Sequence, residues 1–155
     1  MNTVLPASVL IDVTLQEGAV YYFINPDDSF KSEEPHYFVV LNNPLDGIDT
    51  VLICATTKIG ETQLFVVKRR LPAETVVRVR PEEYTEFSKE TIFNCNHPFV
   101  YSRSFLEKLI EDKRMVKAAL PIISNEILTK LKNGVLASTI VEVEIQKLIC
   151  IVNGD

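Results

Sequence analysis

The chain has 155 residues, 46% of them hydrophobic, enough for one domain with a substantial core and too few for two full domains. A formal charge of −5 and a pI near 5.1 exclude the broadly basic face of a generic nucleic-acid coat, while leaving room for a local basic groove. Cys54, Cys95 and Cys150 lie in apolar settings without CxxC spacing, which signals neither a disulfide framework nor a zinc site and fits a reducing compartment.

In chain order, the first twelve residues carry no basic start, and Pro6 and Asp12 interrupt their apolar run. They read as neither a secretory signal nor a membrane span, so a soluble, cytoplasmic protein is expected. From Gly18 to Val100 the apolar pattern is short and β-like, with runs of Val, Ile, Phe and Tyr bounded by Pro, Gly, Asn and Asp. Strands are expected near 19–24, 36–42, 50–57, 75–80 and 91–95. The acidic stretch from Asn25 to Pro35 is expected to be a mobile loop that shapes a substrate entrance. A short Asn-Pro and Asp-Gly connection then sets the strand that begins at His36 beside the one that ends in Thr56, Thr57 and Lys58.

After Val100 the period moves from two towards 3.6. Ser104 and Glu107 have capping-box spacing ahead of an apolar stripe of Phe105, Leu106, Leu109 and Ile110. Ser124 caps a second helical run, for which Asn133-Gly134 offers a left-handed stop. Ser138 opens a last segment in which Val141, Ile145, Leu148 and Ile149 recur at helical spacing, although Val141, Val143 and Ile145 also alternate as a strand would. The expected organisation is a single domain over 1–155: a half-open β-barrel core over 18–101, then a predominantly helical part over 102–155.

The order Gly18-Ala-Val-Tyr-Tyr-Phe, acidic loop, Pro35-His-Tyr-Phe-Val-Val-Leu-Asn, Thr50-Val-Leu-Ile-Cys-Ala-Thr-Thr-Lys-Ile resembles the first half of MazF/PemK-type toxins of toxin–antitoxin pairs. Asn96-His97-Pro98-Phe99-Val100 is similar to an element of a divergent branch of small MazF-like proteins. The resemblance covers roughly two-thirds of the chain at the level of pattern. It implies an SH3-like barrel of MazF/PemK/CcdB type with C-terminal helices, cleavage of single-stranded RNA without a metal or other cofactor, a homodimer, and control by an antitoxin protein. The family's catalytic hydroxyl falls on Thr56, with Thr57 beside it. Its arginine has no counterpart, because the corresponding stretch reads Glu33-Glu34-Pro35-His36.

Such cleavage needs a base for the 2′-hydroxyl proton, a donor for the phosphorane charge and an acid for the leaving 5′-oxygen. Imidazoles titrating near ~6.5 can take either proton-transfer role at neutral pH. His36 and His97, with Thr56 or Thr57 as hydrogen-bond donor and Lys58 as phosphate clamp, form a sufficient set if they meet at one phosphate. A plainer reading has His36 bonded to a neighbouring carbonyl or carboxylate and His97 fixing an Asn-rich turn. Lys68, Arg69 and Arg70, with Arg78 and Arg80 on one strand face, are the candidate RNA-binding cations; a solvated face balanced by Glu74, Glu82 and Glu83 is the alternative. Tyr21, Tyr22, Tyr37 and Phe38 serve either base stacking or core packing. The rival function is a non-catalytic SH3-like binding module for protein or nucleic acid.

Overall fold

The computed structural model of the chain describes residues 6, 15–26, 34–43 and 47–150. Alternating apolar residues form β1 (Ala19–Phe23), β2 (His36–Val40) and β3 (Thr50–Thr56), which pair antiparallel as a continuous meander. Helix α1 (Ile59–Lys68) follows at once, then a 3₁₀ turn over Ala73–Thr75, β4 (Val76–Val79) and β5 (Thr91–Asn94). The chain continues through β6 (Phe99–Tyr101), α2 (Arg103–Glu111), β7 (Met115–Ile122), α3 (Asn125–Ala137) and α4 (Val143–Cys150). The result is a mixed α/β fold around an antiparallel half-barrel, ordered β4-β5-β3-β2-β1-β7, with β6 also on β3. That architecture is consistent with a small β-barrel.

Two apolar cores follow from the period-two alternation of side chains. One sheet face buries Tyr21, Phe23, Phe38, Val40 and Leu52 against Leu106 and Leu109 of α2. The other buries Val20, Val39, Val51, Ile53, Val79 and Phe93 against Ile127, Leu131 and Val135 of α3. The curl brings opposite edges within reach of one another: the Tyr84 hydroxyl, on the β4–β5 connection, donates to the Leu120 carbonyl in β7. Burial, then the nearby Glu86 and Tyr37, raise the Tyr84 pKa and keep that donor protonated.

The five expected strands are present, each ending one or two residues short of the range read from the sequence. Three elements differ, β6 adds a strand outside the expected five, and the last segment follows its helical spacing. Residues 59–68 are helical although Phe65, Val66 and Val67 read as β-like: α1 packs beside β4 and β5 and buries Thr62 and Val66, one turn apart, while Leu64 and Val67 stay exposed. Strand β7 interrupts the expected helical part, its Lys-Ala-Ala-Leu composition overridden by pairing with β1. Ser102, not Ser104, caps α2 by accepting from the Phe105 N–H, and Glu107 pairs with Arg103 at 3.0 Å instead of closing a capping box. The last segment is helical from Val143, with no strand there.

Ser124 does cap α3, accepting from the Ile127 N–H. Gly134, however, is no stop signal, since α3 runs on to Ala137. A Cβ at that position would stand 2.7 Å from Cys95 Sγ and 2.8 Å from the Glu74 carbonyl oxygen, so glycine is required for the helix to approach the sheet. The expected loop between Asn25 and Pro35 lies outside the described residues over 27–33, as does the β2–β3 connection over 44–46 and the opening segment except Pro6. Among the described residues, no helix is long and apolar enough to cross a membrane.

Candidate active site

The β2–β3 register pairs Phe38 with Cys54 and Val40 with Leu52. Carried on, it sets His36 across from Thr56, and antiparallel pairing points both side chains to the same face. This pair stands between two clefts and lines both. The larger, about 670 Å³, also takes in Cys54, Thr62, Asn96 and His97. The smaller, about 350 Å³, takes in Thr57, Tyr22, Tyr37, Glu34 and Glu86.

Local bonding orients the ridge. His36 Nδ1 lies 2.9 Å from the Glu34 carbonyl oxygen, which makes Nδ1 the protonated nitrogen of the neutral ring. The carbonyl contact of the plainer reading is therefore present. The backbone N–H of Lys58 donates to Thr56 Oγ1 at 3.2 Å, which leaves the threonine hydroxyl proton to serve another acceptor. Lys58 occupies the N-cap position of α1 without a side-chain cap. The positive end of the helix dipole thus follows directly on Thr56 and Thr57, while the exposed Lys58 side chain lines neither cleft.

His97 reaches the larger cleft by a different route. Strands β5 and β6 lie successively along β3, and Cys95 to Pro98 form the break between them. Asn96, buried in that break, donates to Asn94 Oδ1 at 3.0 Å and accepts from Ser138 Oγ at 2.6 Å. Ser138 in turn accepts from the N–H groups of Ile140 and Val141. The cluster ties the His97 turn to the α3–α4 corner, which supplies Ile140, Val141 and Glu142 to the cleft wall. The His97 ring packs on Phe65 with centroids 4.9 Å apart, and the Arg69 guanidinium lies over the same phenyl ring at 5.4 Å. Desolvation of that ring face, and secondarily the Arg69 charge, lowers the His97 pKa below the ordinary histidine value.

The expected cations separate into two groups. Lys68, Arg69 and Arg70 are exposed at the C-terminal end of α1, where positive charge complements the helix dipole. Arg70 adopts a left-handed φ of 54° that turns the buried Leu71 back to bond Val66. Arg78 stands on the exposed face of β4 and pairs with Glu90 at 2.9 Å, while Arg80 follows the end of the strand and lies within 4 Å of Glu82 and Glu83. Those two arginines are charge-compensated, and none of the five lines either cleft.

Tyr21 and Phe38 belong to the core, whereas Tyr22 and Tyr37 reach the smaller cleft. Burial pushes the Cys54 thiol up to about 12, which keeps it protonated and a poor nucleophile despite its place beside His36. Among the described residues, no three His, Cys, Asp or Glu side chains assemble as metal ligands. The Asn-rich turn was expected, whereas its tie to Ser138 and the wall containing Glu86 and Phe87 are contributions that the sequence reading missed. Two asparagines flanking a cysteine just before Pro98, in the middle of an apolar run, were the available signal for the first. No protein-family model and no curated protein matches the chain.

Proposed function

We propose that this protein is a toxin-type endoribonuclease, MazF/PemK-like and SH3-barrelled, that cleaves single-stranded RNA without a metal and is held in check by an antitoxin. The observation that carries the reading is the convergence of His36, Thr56 and His97 on one cleft, from three separated parts of the chain. The curled antiparallel sheet is compatible with the barrel that the resemblance implies.

His97, biased towards its neutral form, suits the base that removes the 2′-hydroxyl proton. The 2′-oxygen then bonds to phosphorus, the bond from phosphorus to the 5′-oxygen breaks, and protonated His36 delivers a proton to the leaving oxygen. Thr56 donates to a non-bridging oxygen while charge builds there, and Lys58 with the start of α1 supplies the positive field that the family's arginine would otherwise provide. Products are a 2′,3′-cyclic phosphate and a 5′-hydroxyl.

A non-catalytic binding module is the second reading, favoured by the carboxylate-rich Glu33-Glu34 where the resembling toxins carry arginine. Purified protein, beside His36→Ala, His97→Ala and Thr56→Ala, is to be assayed on a mixed-sequence single-stranded RNA with analysis of product ends. Cleavage leaving cyclic phosphates, lost by at least a hundredfold in each variant, is expected. Absence of cleavage together with absence of growth arrest on expression would leave the binding module.

A further inference from the structure

The smaller cleft carries chemistry that the proposed cleavage step does not use. Tyr22 and Tyr37 pack against each other on its wall, ring centroids 4.6 Å apart with planes tilted by 41°, and Phe87 meets Tyr37 edge-on at 5.5 Å. Glu34 and Glu86 line the same space, as does the exposed Ser88. The Tyr37 phenol is raised above its usual value by burial, then by Glu86 and Tyr22, so it stays a protonated donor and the Glu86 charge is felt inside the pocket.

We propose that this cleft is a nucleobase pocket selective for guanine, placed beside the ridge at which the RNA is cut. The inference rests on the proposed ribonuclease reading for its RNA context, and on the pocket alone for its base preference. The lining carries the carboxylates of Glu34 and Glu86 against the one ammonium of Lys89, a balance that favours a neutral base over phosphate, so the cleft takes the base and leaves the backbone on the ridge and beyond. Carboxylates only accept hydrogen bonds at neutral pH. Guanine alone presents two adjacent donors, N1–H and N2–H, spaced to match the two oxygens of one carboxylate. Adenine and cytosine offer one amino donor beside an acceptor, and uracil one N–H between two acceptors. The Ser88 hydroxyl supplies a donor for the guanine O6. The tyrosines add stacking, which strengthens binding of any base without choosing among them.

Binding of the four nucleosides, which carry no phosphate, is to be followed by NMR titration of Tyr22 and Tyr37 resonances. Guanosine is expected to bind at least tenfold more tightly than adenosine, cytidine or uridine. Glu86→Gln should remove most of that preference, whereas Tyr22→Ala should weaken all four to a similar degree. Equal affinities for the four, or shifts confined to residues outside the cleft, would overturn the proposal. RNA cleavage without guanosine preference sinks the pocket and spares the nuclease; guanosine binding without any cleavage does the reverse. Unchanged tyrosine and methyl spectra of the free Glu86→Gln variant establish that a lost preference reflects the carboxylate and not the fold.

Discussion

The two clefts share the His36–Thr56 wall and differ in how the remainder is built. The larger is closed by parts that meet only in the folded molecule: the β5–β6 break and the α3–α4 corner, joined through Asn96 and Ser138. The smaller is walled by β1, β2, the end of β3 and the β4–β5 connection, and apart from the buried Ala55, Phe87 and Thr91 its lining side chains are exposed or half-buried. The first therefore depends on distant packing, while the second can be altered one side chain at a time.

Substitutions remote from both clefts expose that difference most strongly. Gly134→Ala places a methyl group against Cys95 and a carbonyl that cannot rotate away. Overpacking of about 1–3 kcal/mol should outweigh the helix-propensity gain of about 1 kcal/mol. Thermal unfolding should show a lowered Tm, with RNA cleavage reduced while guanosine affinity at a permissive temperature stays within twofold. A variant as stable as the parent would mean that α3 has room to withdraw and that the larger cleft is not clamped.

Ser138→Ala removes the donor to Asn96 and the acceptor for two backbone N–H groups, with an expected loss of about 1–3 kcal/mol in denaturant unfolding. Because the cluster holds the His97 turn, the same variant should lower kcat for RNA more than it raises KM. Arg78→Gln probes the other side. Its pair with Glu90 anchors the end of the β4–β5 connection but is solvent-exposed, so the cost should stay below about 1 kcal/mol, with nucleoside binding unchanged. A larger loss would show that this wall needs its ion pair.

The finest distinction is in pH. The folded-state pKa of His97 lies below the unfolded value, so the unfolded chain binds more protons between the two. The stability that this histidine contributes is complete above ~6.5, the unfolded histidine value, and is lost as pH falls through the lower folded pKa. His97→Gln should flatten that part of the stability profile, while Thr57→Val, in the smaller cleft, should leave it unaltered. Superimposable profiles of parent and His97→Gln would refute the desolvated ring.

What could be read from the residues alone follows the same division. Alternating β-branched and aromatic residues made β1 to β5 legible, and the turn-and-strand order brought His36 and Thr56 together before any coordinates. Helix α1 was hidden by Phe65-Val66-Val67, whose local preference is for strands, and β7 by residues that favour helices; both are settled by what they pack against. Gly134 looked like a terminator because a glycine after asparagine ends helices more often than it permits a close approach. The position of His97 depends on the bond from Ser138 to the neighbouring Asn96, forty-two residues apart, and no local pattern could announce it.

The pairing of β1 with β7 also has a consequence in time. Tyr21 meets Lys117 across the sheet, so one edge of β1 stays open until nearly a hundred further residues have been made. Strands β1 to β3 can form their meander early, but the Tyr84 tie to Leu120 and the α3–α4 corner of the larger cleft come last. The larger cleft is thus completed only after the ridge it shares with the smaller one, once the α3–α4 corner has been made and has packed.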